Sequence, residues 1–330
     1  MIENDNRVLI IAEIGNNHEG SFQNAIKLID KASEAKVDAV KFQTFDTNLY
    51  ISESNKERFE KLKGFELSKE EFEKLSLYSK GKGLKFISTP FDVPSALFLS
   101  QIVDYIKIAS GDNNFYALIN KVLSFNKPTL ISTGLINSFQ IKELLDFIKK
   151  TDFNMDLLTM LHCVSDYPVE NNSANLNSIR FLLDNFHISV GYSDHTQGIE
   201  ACIASVSLGA RVLEKHFTLD KNFSDFRDHQ ISADPKEMAN LVRSVRIVED
   251  QIGQFEKEIQ KSELKNINTM RRSIYAAKNI KKGSTLSEDD IKIVRPFMYL
   301  EPNRLNDVLG KTLIKDLKKD EAIKTDDFKK

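Results

Sequence analysis

Eight short runs rich in aliphatic and β-branched residues, each closing on polar ones, recur along the chain: VLIIAEIG, DAVKFQTF, LKFISTPF, YIKIASGD, PTLISTG, LLTMLHC, ISVGYSD and RVLEKHFT. Between them lie helix-compatible stretches such as SFQNAIKLIDKASEAK, SKEEFEKLSLYSKGKG, SFQIKELLDFIKK and GIEACIASVSLG. Strand and helix signals that alternate in this way build a parallel sheet through right-handed crossovers, and eight such units close as a (β/α)8 TIM barrel. An open doubly wound sheet competes, but it gives no reason for polar endings on nearly every strand. A barrel does, because its chemistry lies at the C-terminal strand ends. Glu13, Lys41, Gln43, Thr89, Ser110, Asp112, Ser132, Ser193, His195, Glu214 and His216 all fall there.

The last two runs end in S-D-H and E-K-H. The strand period of two puts Ser193 with His195 on one face and Glu214 with His216 on one face. If the two runs are neighbouring strands, about 5 Å apart, both imidazoles reach one point. Such a pair reads as a divalent-metal site of mixed nitrogen and oxygen character, suited to Mn or Zn more than to Ca. The alternative is two satisfied structural histidines.

The chain has 330 residues, enough for a barrel of ordinary size and a small appendage. With 46 Lys and Arg against 48 Asp and Glu, the net charge of −2 offers no electrostatic case for nucleic acid or an anionic membrane as partner. No apolar run approaches the ~20 residues of a membrane span, and the start MIENDNRVLI is acidic where a signal peptide is basic, so a cytoplasmic location is expected. Two cysteines, Cys163 and Cys202, suit a reducing compartment. Cys163 lies near the expected site, where it reads as a buried small hydrophobe rather than a nucleophile.

The barrel domain is assigned to residues 1–253, ending with the helix-like MANLVRSVRIVEDQIG. A charged connecting arm follows at 254–269, and a small β-rich domain at 270–330. That domain contains an echo: IKKGSTLSEDDI from Ile280 and LKKDEAIKTDDF from Leu317 share Lys-Lys, an apolar residue and Asp-Asp at the same offsets. Two turns of similar shape are expected, in a domain small enough to need something to dock on.

Taken together, AEIGNNHEG, VKFQTF, STPFD, YIKIASGD, LISTG, LHCVSDYP, GYSDHT and LEKHFT resemble the sialic acid synthase family, and KNIKKGSTLSEDDIKIVRP resembles its C-terminal SAF (antifreeze-like, β-clip) domain. The resemblance implies condensation of phosphoenolpyruvate with a mannosamine-like amino sugar to a nine-carbon 2-keto acid. It implies phosphoenolpyruvate binding by Lys41, Thr89, Lys107, Ser110, Ser132, Ser165 and Ser193. It further implies sugar contacts from Glu13, Gln43, Tyr167 and Asp228, and from Arg295 of a partner subunit in a domain-swapped homodimer. His195 and His216 would hold a divalent ion, Mn or Mg, that polarises the sugar aldehyde, and Glu214 would act beside it.

The chemistry of these residues agrees. A phosphate and a carboxylate call for cations and hydroxyl donors without a surplus of acids nearby. Singly, each Ser or Thr could be a turn residue at a strand end. Lys41 and Lys107 could also serve as Schiff-base lysines of an aldolase, although a lysine beside an anion stays charged. Three features depart from the sialic acid branch: Ser165 stands for its Asn, FRDHQ replaces a Gly-Pro segment, and RPFMYL replaces a glycine-bearing one. These point to a 2,4-diacetamido-6-deoxy hexose or another variant rather than N-acetylmannosamine. Competing functions are a synthase of the Kdo-phosphate or shikimate-precursor type, and a glycan- or ice-binding protein without catalysis.

Overall fold

Strands with apolar residues on both faces must be buried on both, and a barrel under a ring of helices achieves this. The computed structural model, which describes residues 7–328, shows β1 (Leu9–Gly15), β2 (Ala39–Thr44), β3 (Lys85–Pro90), β4 (Tyr105–Ile108), β5 (Thr129–Ser132), β6 (Leu158–Cys163), β7 (Ser189–Asp194) and β8 (Val212–His216). All are parallel, and β8 pairs back onto β1 to close the barrel. Each of the eight runs read from the sequence forms one of these strands.

The pleat then divides the barrel into levels. Leu9, Ile11, Ala39, Ile87, Tyr105, Leu130, Leu161 and Val212 form one small buried cluster that plugs the interior. Two residues further along, the same faces carry Glu13, Lys41, Thr89, Lys107, Ser132, Cys163 and Glu214, with Ser193 on β7. The alternate residues, among them Ile10, Val40, Phe42, Phe86, Ile106, Met160 and Leu213, join the larger core beneath the helices.

The helices begin where the chain supplies caps. Ser68 and Glu71 form a capping box on Lys69–Gly81, Asn137 and Gln140 on Ser138–Ile148, and Asp234 and Glu237 on Pro235–Ile252. Two short helices that the sequence pattern did not show, Thr47–Tyr50 and Lys56–Phe65, lie in the connection after β2. Of Lys56–Phe65 only Leu62 is buried, so no apolar periodicity announces it. No described helix is long and apolar enough to cross a membrane.

A second compact unit begins at Gln254. Its first stretch is largely exposed and holds the short helices Lys261–Leu264 and Ile267–Met270. The end of that stretch is fastened to the unit itself: Phe297 N–H donates to the Asn268 carbonyl at 2.7 Å, and Arg295 Nε to the Met270 carbonyl at 2.6 Å. β9 (Ser273–Ala276) and β10 (Ile291–Val294) pair antiparallel over a core that includes Ile274, Ile280, Leu286, Val308, Leu317 and Ile323.

The echo in the sequence is an internal structural repeat. Ile280 and Leu317, the first residues of its two copies, bond to one another reciprocally, N–H to carbonyl, at 2.9 and 2.8 Å. Leu286 and Ile323 occupy equivalent core positions, and Gly283 and Asp320 share a left-handed turn conformation, with φ of 87° and 69°. Asp290 accepts from Ser287 N–H and pairs with Lys278 at 2.9 Å; Asp327 accepts from Lys324 N–H and pairs with Lys315 at 3.0 Å.

The Lys278 and Ser287 bonds pull the Asp290 carboxyl down to about 2 from an ordinary 3.8. A depressed carboxyl contributes stability above its unfolded pKa and loses it as pH falls through the folded value. Asp290→Asn should therefore weaken amide-exchange protection in β9 at neutral pH, and the difference from the parent should shrink between pH 4 and about 2.

Candidate active site

Register sets which inward residues meet. Glu13 sits opposite Lys41 on β2 and opposite His216 on β8, Gln43 opposite Thr89, Cys163 opposite Ser193, and Ser193 opposite Glu214. They line a cavity of about 670 Å3 above the apolar plug. Every site residue read from the barrel sequence lines it: Glu13, Lys41, Gln43, Thr89, Lys107, Ser110, Ser132, Ser165, Tyr167, Ser193, His195, Glu214, His216 and Asp228. Arg295 belongs to the second unit.

The floor is a chain of alternating charges. Lys41 Nζ lies 2.9 Å from Glu13 and 3.7 Å from Glu214, and Lys107 Nζ lies 3.5 Å from Glu214. Both lysines are thus paired with acids, two carboxylates against two ammonium groups and so without the surplus of acids that an anion site must avoid. Ser193 Oγ donates to Glu214 at 2.9 Å, Lys41 Nζ to Thr89 Oγ1 at 3.1 Å, and Gln43 Nε2 to Glu13 at 3.1 Å. Asn16, which the sequence reading gave no role, donates to Gln43 at 2.9 Å and so aims its amide at Glu13.

Burial and neighbours push these groups apart. Burial discourages the charge of Glu13 and raises its pKa in spite of Lys41. The same burial is outweighed at Glu214, which both lysines hold below the ordinary range. Burial likewise opposes the charge of Lys41, but Glu13 and Glu214 reverse the effect and raise it, whereas Lys107 is left lowered. A carboxyl held up beside a carboxylate held down is the arrangement that separates a proton donor from an acceptor.

One wall is a set of hydroxyls around Gly134. A Cβ there would lie 2.3 Å from Ser165 Oγ and 2.6 Å from Ser110 Oγ, so glycine leaves the space in which they converge. Gly134 N–H donates to Ser110 Oγ at 3.2 Å, while the hydroxyls of Ser132 and Ser165 are buried without a partner in the chain. Asp112 stands at the same edge, raised by burial to about 6.

The two histidines do meet. Their ring centroids are 5.4 Å apart and inclined at 48°. His195 Nδ1 lies 2.8 Å from the Val164 carbonyl, which fixes a proton on that nitrogen; against burial, Cys163 and Val164 raise the ring's pKa, and in its neutral form Nε2 carries the lone pair. Burial and the neighbouring His195 drive His216 well below the ordinary value, to the neutral form that ligates, and its buried Nδ1 has no partner. Among the described residues no group of three or more His, Cys, Asp or Glu side chains is placed to hold an ion. The two adjacent imidazoles, one with an unpartnered nitrogen, are the donors that an ion could take here, and its other positions would be left to water or substrate.

The mouth carries residues that the sequence reading missed. Arg227 covers the Tyr167 ring at 4.4 Å, and Tyr167 in turn lies 4.2 Å from the His195 ring. Arg58 and Lys61 come from the helix after β2, with Lys61 Nζ 4.9 Å from the Phe226 ring. Tyr50 and Phe91 stack at 4.3 Å and give this side, with Leu62, an apolar wall. The available cue was length: residues 45–68 form a long connection at the catalytic end of a barrel.

The remaining histidines are structural in their contacts. His18 is buried and lowered to about 4, and its Nδ1 accepts from Gly20 N–H. His162 contacts the Ala174 carbonyl, His187 ends a helix in the left-handed conformation, and His229 Nδ1 lies 2.6 Å from Thr218 Oγ1. Cys163 is buried in the cavity wall, 3.8 Å from His195 Nδ1.

A TIM barrel with two lysines, two imidazoles, a carboxyl pair and convergent hydroxyls at its C-terminal end has the layout of an enzyme. Residues 28–257 match the model of the NeuB family and residues 271–329 that of the SAF domain, so the chain belongs to the NeuB, or sialic acid synthase, family. It is 38% identical over 332 residues to the N,N'-diacetyllegionaminic acid synthase of Campylobacter jejuni, covering 96% of this chain and 99% of that one. It is 37% identical over 342 residues to the pseudaminic acid synthase of the same organism, covering 98% and 97%. The crystal structure of an N-acetylneuraminic acid synthetase from Leptospira borgpetersenii superposes with a TM-score of 0.75 at 37% identity, over 79% of this chain and 90% of that one.

Gly134→Ala has an ordinary backbone conformation to occupy, but its Cβ must displace Ser110 and Ser165, so the protein should stay folded with a melting temperature lowered by a few degrees. It should weaken binding of phosphoenolpyruvate, the ligand that the resemblance implies for these hydroxyls, by roughly tenfold or more. Calorimetric titration of parent and variant checks this.

Proposed function

We propose that this enzyme condenses phosphoenolpyruvate with the open-chain form of a mannosamine-like N-acetylated amino sugar, giving a nine-carbon 2-keto acid and phosphate. The observation that carries this reading is the floor of Lys41 and Lys107 flanked by unpartnered hydroxyls and, on the next strands, the two imidazoles. Phosphoenolpyruvate is recognised by the two ammonium groups, which exchange their Glu13 and Glu214 contacts for its anionic oxygens, and by Ser110, Ser132, Ser165, Ser193 and Thr89. Glu13 and Glu214 raise Lys41 against its burial and so keep it charged, which favours phosphate binding over Schiff-base chemistry at that lysine.

Carbon 3 of the enol attacks the aldehyde carbon, and the aldehyde oxygen takes up a proton from Glu13, the carboxyl held high. Water adds at carbon 2 and gives its proton to Glu214, the carboxylate held low. The carbon–oxygen bond at carbon 2 then breaks as the new hydroxyl passes its proton to the leaving phosphate, which departs with the bridging oxygen. A divalent ion, Mn or Mg, held by His195 and His216 would supply Lewis-acid polarisation of the aldehyde. Gln43, Tyr167 and Asp228 surround the space left for the sugar. Ser165 and the apolar Tyr50, Leu62 and Phe91 favour a 2,4-diacetamido-6-deoxy hexose over N-acetylmannosamine.

Phosphate release with phosphoenolpyruvate and a panel of hexosamines tests the reaction. The diacetamido sugar should give the highest kcat/KM, heavy oxygen placed at the bridge should appear in phosphate, and chelation should stop turnover until Mn or Mg is returned. Heavy oxygen retained in the sugar acid refutes the bond cleavage, and a borohydride-trapped lysine adduct supports aldolase chemistry instead.

We also infer that Arg295 completes the site of a second subunit in a domain-swapped homodimer. Support comes from the apolar side chains exposed along the stretch that leads to it, Ile252, Phe255, Ile259, Leu264 and Met270, and from the fork of donors an arginine offers an acetamido oxygen. Co-expression of a Glu13→Gln chain with an Arg295→Ala chain should recover activity that neither mutant has alone. A mixed dimer, verified by mass, with no more than the summed activity of the two mutants argues for action within one chain.

A further inference from the structure

The middle residues of S-D-H and E-K-H point away from the cavity, and what they do there is not used by the chemistry above. Asp194 and Lys215 are each 1% exposed, in the layer between barrel and helices that is mostly hydrocarbon. On every other strand the residue after the inward polar one is uncharged: Ile14, Phe42, Pro90, Ile108, Thr133 and Val164. Charge enters this layer at strand ends only on the two strands that deliver the histidines.

The pair is fully coordinated. Lys215 Nζ donates to Asp194 Oδ2 at 2.8 Å, where Cys202 Sγ also donates at 3.3 Å. Asp194 Oδ1 accepts from Tyr192 Oη at 3.0 Å and from Thr196 N–H at 2.8 Å. Lys215 Nζ donates in addition to the Thr196 carbonyl. Thr196, the residue after His195, is therefore gripped at both its N–H and its carbonyl, one by β7 and one by a side chain from β8. His195 itself lies beyond the end of β7, with its carbonyl bonded to Val169 N–H at 3.0 Å. The β7–β8 ladder ends at Asp194 opposite Lys215, one residue short of each histidine, and past that point the Lys215 bond to Thr196 carries the connection between the two strand ends.

Stability does not explain the pair, because a buried ion pair replaced by groups of matched volume often leaves a fold no weaker. Orientation does. We propose that Asp194 and Lys215 are positioning residues that fix the spacing of the His195 and His216 rings for one divalent cation. The proposal rests on the metal reading given under the proposed function, and adds that the ion pair behind the rings sets the affinity.

The test uses the full chain and Mn(II) alone, with binding followed by the paramagnetic resonance of free Mn(II) and stability by thermal melting. Asp194→Asn with Lys215→Met keeps volume, removes both charges and releases the Thr196 carbonyl, while the new amide oxygen can still accept from Thr196 N–H. Its melting temperature should stay within a few degrees of the parent, while Mn(II) dissociation should weaken roughly 10- to 100-fold, the usual effect of losing an outer partner of metal ligands. Tyr192→Phe, which removes one hydrogen bond to Asp194 and keeps the ring, should shift affinity in the same direction by less. A folded double variant that binds Mn(II) as tightly as the parent overturns the proposal; if the double variant does not fold, unchanged affinity in Tyr192→Phe overturns it. A parent that binds no Mn(II) removes the metal reading itself, an outcome distinct from any difference among the variants.

Discussion

A closed barrel of parallel strands gives each strand one inward residue in every two, and hydrogen-bond register decides which of these share a level. Everything at the site of this protein follows from that constraint. Leu9, Ile11, Ala39, Ile87, Tyr105, Leu130, Leu161 and Val212 fill the interior with hydrocarbon, so the next inward level stands on a dry floor. Charges placed there are screened little, and burial and neighbours together decide their protonation. A shift of one residue on β1 would turn Glu13 into the helical layer and bring an isoleucine beside Lys41.

On that floor the protein has arranged its own counterions. Lys41 and Lys107 each have a carboxyl group beside them, so the cluster is tolerable in a buried place where two unpaired lysines would not be. The cost is that an anionic substrate has to compete with carboxylates already seated on the cations. The hydroxyls of Ser132 and Ser165 are different, for they are buried and unengaged, and their hydrogen bonds are available to a ligand without any exchange. A phosphate or carboxylate bound here would divide its contacts between groups won from internal partners and groups held open by the absence of a side chain at Gly134.

The strands were legible in the sequence because their apolar runs are short, bounded and repeated, and the site was legible because polar residues at strand ends converge in any barrel. Pairing was not. That Lys41 lies between Glu13 and Glu214 depends on the register of three strands, which no local pattern encodes. Arg58 and Lys61 stayed hidden because their helix buries a single leucine, and Arg227 because a five-residue helix has no periodicity to read. In the second unit the repeated Lys-Lys and Asp-Asp were visible. That they lie on two halves joined at Ile280 and Leu317 became apparent only from the reciprocal backbone bonds.

The two units handle charge in opposite ways, and the contrast follows from their size. In the second unit the acids are spent on turns: Asp290 and Asp327 hold equivalent backbone N–H groups and equivalent lysines, because a fold with so few core residues needs its loops fixed by polar bonds. The barrel has hydrocarbon enough to hold its shape, and so can place ions where they add little to stability. Inward, those ions face a ligand. Outward, at Asp194 and Lys215, an ion pair ties together the two strand ends that carry imidazoles, and the only part of the fold it holds more tightly than hydrocarbon would is the geometry of those ends.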